Sequence, residues 1–320
     1  MWKFEPILKP TIWGGNKIFS YRGEESQESN IGESWLISGL EGDETRVSEG
    51  SDKGLTVSEL LQKYGRVLTG KSAKSGESTR FPLLVKLIDS NSDLSVQVHP
   101  DDATAMSHGY ENGKSEMWYI IDAAPGARIA NGFNREVTPQ EYDRLIETGK
   151  IEEVLNYTDV NRGEIYYIPA GRVHSICAGC LLVEVQQTSE VTYRIYDYNR
   201  KDDEGNYRKL HTGEARESIR FDDQDGKSLG YAVRVNVPVN VIRSDHFTVN
   251  ILDVDREMIR DYREADTFRI LVLIEGKAEI ESQGEMVSLK QGEMVLIPAS
   301  ADNITIRPEG SIRMLETYTN

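Results

Sequence analysis

The chain has five histidines, and two of them, His99 and His174, stand where an imidazole could do chemistry. In Leu94-Ser95-Val96-Gln97-Val98-His99 the polar and apolar residues alternate strictly. A strand there puts Ser95, Gln97 and His99 on one face and Leu94, Val96 and Val98 on the other. A face carrying a hydroxyl, an amide and an imidazole is either a solvated outer face or a site. Pro100, Asp101 and Asp102 then stop the strand, which leaves His99 at a rim. His174 closes the run Gly163-x5-Pro169-Ala170-Gly171-x2-His174. There a strand ends in a Pro-Ala-Gly turn, and the turn delivers an imidazole to the start of the next strand. His108, His211 and His246 lack such a setting and read as structural.

The elements that must position these groups are mostly strands. Short β-branched and aromatic runs recur between Gly, Pro, Asn and Asp, as in FPLLVKLI (81–88), EMWYIID (116–122), EIYYIP (164–169), LLVEVQ (181–186) and TYRIYDY (192–198). More follow after residue 235, and such a series reads as a mainly β sandwich or barrel. Helix signals are few. Thr56-Val57-Ser58-Glu59 is a capping box, and Thr138-Pro139-Gln140-Glu141 opens a second helix that Gly149 closes. With a further short helix at 150–156, this predicts a small helical insertion at about 138–157. The polar segment 199–235 reads as an excursion and linker, so the expected division is 1–235 and 236–320. GEIYYIPAG (163–171) is echoed by GEMVLIPAS (292–300), which points to two related β-units.

Composition narrows the function. A chain of 320 residues with net charge -16 and mean hydropathy -0.50 is not expected to hold nucleic acid or an anionic membrane surface by bulk electrostatics. An anionic small molecule would need a local basic cluster. No apolar run is long enough to span a membrane, the N-terminal segment lacks a signal-peptide pattern, and two cysteines make no disulfide scaffold. A cytoplasmic protein is expected.

The run ending in His174 resembles the second motif of the cupin family, small jelly-roll barrels in which that histidine binds a metal. In the C-terminal echo Asn303 stands at the histidine position, so the second barrel resembles a cupin without its metal site. The first cupin motif is altered: Gln97-x-His99 is followed by a suitable glutamate only at Glu116. That departure matches one branch. SVQVHPDD, GKSEMWYII, the Pro-Ala-Gly turn and TYRIYDYNR occur in the order found in type I phosphomannose isomerases, short bacterial form, as do Trp13-Gly14-Gly15 and Gly32-Glu33-Ser34-Trp35. The resemblance runs over essentially the whole chain and implies two cupin barrels.

The resemblance also implies one zinc ion per chain held by Gln97, His99, Glu116 and His174. Two imidazoles, a carboxylate and an amide suit Zn²⁺ in a site open to water or substrate. It implies that Ser95, Lys114, Glu184 and Arg194 surround the substrate, a small sugar phosphate. The implied reaction interconverts mannose 6-phosphate and fructose 6-phosphate through an enediolate. Arg194 and Lys114 would add fixed positive charge at the oxyanion. Glu184, Lys114 and a water on the metal are the three candidates for moving the proton. Arg200 and Lys201, in a stretch that also holds Arg208 and Lys209, are the candidates for the phosphate.

Blander readings exist for several of these residues. Gln97 could serve only hydrogen bonding, Glu116 a rim ion pair, and Lys114 and Arg194 the solvated surface. The basic residues after 200 are interleaved with Asp202, Asp203 and Glu204, as in a solvated loop. Cys177-Ala178-Gly179-Cys180 falls in a turn between strands, not in the strand–turn–helix setting of a redox motif, and reads as structural. Two rival functions are a metal-dependent cupin oxygenase, which would favour iron and mostly histidine ligands, and a non-catalytic sugar-binding protein with two cupin units. A sensor would be expected to lose both ligand sets, and here only the second is lost.

Overall fold

The computed structural model describes residues 1–71, 80–201, 204–223 and 226–319; Asp202 and Asp203 lie outside these. The fold is mainly β and of cupin type, built as two sandwiches of antiparallel sheets. The sheets are open rather than closed into barrels as the sequence suggested. In the first sandwich a six-stranded sheet runs Ile165–Ile168, Glu116–Ala123, Cys180–Gln187, Leu83–Asp89, Ile31–Ile37, Ile7–Gly15. Facing it is a five-stranded sheet in the order Leu155–Asp159, Arg128–Phe133, His174–Ile176, Val96–Val98, Tyr193–Tyr196. The second sandwich pairs a five-stranded sheet (Val239–Arg243, Thr248–Val254, Ile312–Tyr318, Arg269–Glu275, Met294–Ile297) with a four-stranded one (Met258–Asp261, Asn303–Pro308, Lys277–Ser282, Glu285–Lys290).

Strand alternation divides the labour of the six-stranded sheet. Along Cys180–Gln187, Leu181, Val183 and Val185 join a large core with Phe247, Val249, Ile251, Phe268 and Ile270 of the second sandwich. Their neighbours Leu182, Glu184 and Gln186 point the other way, and Leu182 packs with Trp118, Ile120 and Ile176 inside the first sandwich. Both faces are therefore buried, and a strand buried on both sides reads as a nearly continuous apolar run. A charged residue in such a run, like Glu184 or Lys86, needs a partner on its inward face.

The helices begin where the sequence signals them. Thr56 and Glu59 close a capping box on Val57–Tyr64, and the Thr138 hydroxyl accepts from the Glu141 N–H at the start of Pro139–Glu147. The second helix expected at 150–156 is only a 3-10 turn, Ile151–Val154. The chain then extends as Leu155–Asp159, because pairing with Arg128–Phe133 outweighs local preference. In the excursion 199–235 a helix forms at Thr212–Ser218 without any side-chain cap, so no local signal announced it.

Candidate metal centre and its cavity

Three buried side chains converge inside the first sandwich: His99, Glu116 and His174, each about 1% exposed. Their ligand atoms all lie within 4.8 Å of one another, the one such group among the described residues. Strand register brings them together. Gln97 pairs directly with His174 across neighbouring strands, and Gln97 also pairs with Arg194 on its other side. Gly171, at φ +87°, makes the turn before His174, a conformation that glycine adopts without a Cβ penalty. Its N–H donates to the His99 carbonyl at 2.7 Å, so the turn is stitched to the rim that carries the other imidazole.

Both rings have their tautomer set from outside. The Nδ1 of His99 lies 2.9 Å from the Val191 carbonyl oxygen, and the Nδ1 of His174 lies 2.8 Å from that of Arg172. A carbonyl only accepts, so each Nδ1 carries the proton and each Nε2 presents a lone pair to the centre. His99 Nε2 and both Glu116 carboxylate oxygens have no hydrogen-bond partner in the structure, although they are buried. Buried polar atoms are nearly always satisfied. A cation bound by these atoms would satisfy all three, so the residues fit a divalent metal ion. The Gln97 amide nitrogen lies 3.3 Å from His174 Nε2, and Ser95 Oγ donates to Gln97 Oε1 at 3.3 Å. Amide orientation is interchangeable by a half-turn, which would turn the oxygen toward the centre.

Charge around the centre is uneven. Burial, followed by Lys114, pushes the His99 imidazole down to about 3, so it is neutral at physiological pH. Burial alone would raise the Glu116 carboxyl, but Lys114, His99 and His174 hold it well below the ordinary range. Lys114 reaches Glu116 at 3.3 Å. Beyond them Lys86, 7% exposed, sits 3.3 Å from Glu33 and 3.3 Å from Glu184. Burial works against its charge, yet Glu33, Glu184 and Glu116 keep the ammonium protonated. Three carboxylates thus share two ammonium groups. Glu33 is held low by Lys86 and the Trp35 indole against its own burial, whereas burial and Glu116 raise Glu184. Glu184 also accepts from Trp118 Nε1 at 2.9 Å, which fixes its carboxylate plane.

A cavity of about 930 Å³ lies over this centre. Ser95, Gln97, Lys114, Glu184, Arg194 and Lys201 line it. Arg200 does not. Its guanidinium is turned to the Asp93 carbonyl and the Asp197 carboxylate. Arg208 and His211 line the cavity instead, as do Glu33, Trp35 and Lys86. Lys86 could have been suspected as the lone charge inside PLLVKLI; His211 carried no such signal. Arg208 donates to Asp197 through Nε at 2.7 Å. Cys177 and Cys180 are free and buried.

The second sandwich has the same register with opposite chemistry. Glu116 pairs with Ile168 just before Pro169, and Arg269 pairs with Ile297 just before Pro298. Glu184 faces Trp118 as Glu316 faces Leu271. A guanidinium therefore stands where the first sandwich carries the Glu116 carboxylate. Glu316 is fully buried and is satisfied by Arg260, Tyr262 and Asn250.

The chain was compared with known proteins. A family model described as the catalytic domain of type I phosphomannose isomerase matches residues 1–142, and one described as the cupin domain of mannose-6-phosphate isomerase matches residues 239–318. The mannose-6-phosphate isomerase ManA of Bacillus subtilis is 35% identical over 298 residues, 92% of this chain and 92% of that protein. A mannose-6-phosphate isomerase of Streptococcus mutans is 30% identical over 310 residues, 97% of this chain and 95% of that protein. The crystal structure of the mannose 6-phosphate isomerase from Bacillus subtilis superposes with a TM-score of 0.89 at 31% identity, covering 99% of this chain and 98% of that one.

Proposed function

The chain belongs to the type I phosphomannose isomerase family, and from that premise we propose how its residues interconvert mannose 6-phosphate and fructose 6-phosphate. The reading rests on one observation above all: the buried His99 Nε2 and Glu116 oxygens are left without hydrogen-bond partners. Gln97, His99, Glu116 and His174 hold a divalent ion. Zinc is the occupant we assign, one per chain, because the donors are nitrogen and oxygen without a thiolate. Bound there, the ion supplies Lewis-acid polarisation of the sugar's carbonyl and hydroxyl oxygens.

The chain's own groups do the rest. Glu184 takes the proton from C2 and returns it to C1, while the O2 hydroxyl proton passes to O1 so that C2 becomes the carbonyl. Its raised carboxyl pKa brings base and conjugate acid closer to the working pH, which favours both halves of the transfer. Lys114 and Arg194 hold fixed positive charge against the developing enediolate oxyanion. With the Gln97 oxygen turned toward the ion, the amide nitrogen would donate to Ser95 Oγ, which lies 3.3 Å from that end of the amide. Lys201 and Arg208 hold the phosphate, with Asp197 setting the Arg208 fork. Residues 1–235 form the catalytic unit, and residues 236–320 serve as scaffold. No helix of the described residues is long and apolar enough to cross a membrane, and we place the enzyme in the cytoplasm, where two free thiols persist. The oxygenase and sensor readings are not favoured, since the relatives are named isomerases.

A coupled assay tests this. Mannose 6-phosphate is supplied and fructose 6-phosphate followed. Glu184→Gln should lower kcat by about 100-fold or more, the span expected for a lost general base. Chelation should abolish turnover and zinc restore it. No turnover by folded, zinc-loaded protein would overturn the reading.

A further inference from the structure

His211 is the cavity residue whose position nothing above explains. It stands just before the Thr212–Ser218 helix, 17 residues after Arg194 in sequence, yet it closes on Arg194 from two directions. The Arg194 backbone N–H donates to His211 Nδ1 at 3.3 Å, and the His211 backbone N–H donates to the Arg194 carbonyl at 2.7 Å. A third bond, from Arg194 Nη1 to the Lys209 carbonyl at 2.9 Å, anchors the guanidinium to the same segment. The buried Arg194 Nε has no partner in the structure. Arg194, a cavity-lining residue, is thus gripped at both backbone polar groups and at one guanidinium nitrogen.

The grip matters because Arg194 lies next to Gln97 in register, on the edge strand Tyr193–Tyr196. An edge strand has one side without ladder partners. His211 supplies the missing partners there, its ring nitrogen standing in for a carbonyl as acceptor. Resting on the isomerase reading above, we propose that His211 is a positioning residue of the active site. Its Nδ1 and backbone N–H clasp residue 194 and so aim the Arg194 guanidinium at the anionic oxygen that develops on the sugar phosphate during isomerisation.

The test uses the zinc-loaded full chain and five variants. His211→Ala removes the acceptor and should lower kcat about tenfold, the worth of one hydrogen bond in a site, with KM held within about twofold. His211→Asn places Oδ1 where Nδ1 was and should recover most of the loss. His211→Gln carries its oxygen one methylene too far and should behave like His211→Ala. The double variant Arg194→Ala/His211→Ala should be no slower than Arg194→Ala alone, because one residue acts through the other. A general structural role predicts additive losses instead, without rescue by asparagine. Additivity, an asparagine variant as impaired as alanine, or a kcat for His211→Ala within about twofold of wild type would each overturn the clasp. If His211→Ala fails to fold, the comparison of Asn with Gln decides. Absence of turnover in the wild type would strike the isomerase reading, whereas loss in Arg194→Ala with none in any His211 variant strikes only this proposal.

Discussion

Replacing Lys86 by methionine is the sharpest test of the charge arrangement beneath the cavity. The ammonium is 7% exposed and 3.3 Å from a carboxylate oxygen on each of Glu33 and Glu184. At an effective dielectric of about 20, each contact amounts to about 5 kcal/mol of attraction. The cost of taking a lysine out of water offsets much of this. Deleting one partner nevertheless leaves the others buried and uncompensated, and the expected loss of stability is about 3–5 kcal/mol. Methionine nearly preserves the volume, so a cavity adds little. Denaturant midpoints at neutral pH measure the loss. The sign of its pH dependence is also fixed. Without Lys86, burial raises both carboxyl pKa values in the folded state, so the deficit is full at neutral pH and shrinks as acid protonates them. Glu33→Gln in the Lys86→Met background should recover part of the loss. A deficit below about 1 kcal/mol, or one that does not change with pH, would refute the argument.

Two further outcomes follow from the same structure. Burial works to raise the Glu316 carboxyl, but Arg260, Tyr262 and Asn250 outweigh it and hold it below its ordinary value. Its contribution to stability is present above the unfolded-state value and is lost as pH falls through the lower folded-state one, so Glu316→Gln should flatten the acid limb of a stability–pH curve. An unchanged acid limb would contradict this. Burial lifts the thiols of Cys177 and Cys180 to about 12 and about 11, so neither is a thiolate at neutral pH. Serine at both positions should leave turnover unchanged, and activity should resist mild thiol oxidants; oxidant-sensitive turnover lost in the double variant would overturn this.

Much of the site was readable from one-dimensional pattern, because strands have a period of two. Ser95, Gln97 and His99 alternate with valines, and the structure turns all three inward. The turn chemistry before His174 was equally local, since Pro169 and Gly171 fix the chain direction. What the sequence hid was set at long range. Lys86 is one charge in an apolar run, and only the pairing of its strand with the Glu33 and Glu184 strands shows why it can be buried. Arg200 and Arg208 look alike in a basic stretch; both hold Asp197, but Arg200 also reaches the Asp93 carbonyl, whereas Arg208 lines the cavity. His211 owes its place to a helix that has no capping signal. Alternation reports which face of a strand is buried, not whether sheet edges meet, so it left open whether each cupin unit is a sandwich or a barrel. The helix expected at 150–156 shrinks to the turn Ile151–Val154, because edge pairing with Arg128–Phe133 draws the chain into a strand from Leu155 onward.

The central claim is that His99, Glu116 and His174, with Gln97, hold the metal on which isomerisation depends. The direct measurement titrates chelated protein with zinc while metal bound per chain and turnover of mannose 6-phosphate are read together. Turnover should rise in proportion to occupancy and level off at about one ion per chain, and Glu116→Gln should weaken binding by more than about 100-fold, since even outer-shell changes cost about 10–100-fold. Full turnover in the metal-free protein, or tight stoichiometric zinc binding and normal turnover in Glu116→Gln, would contradict the account.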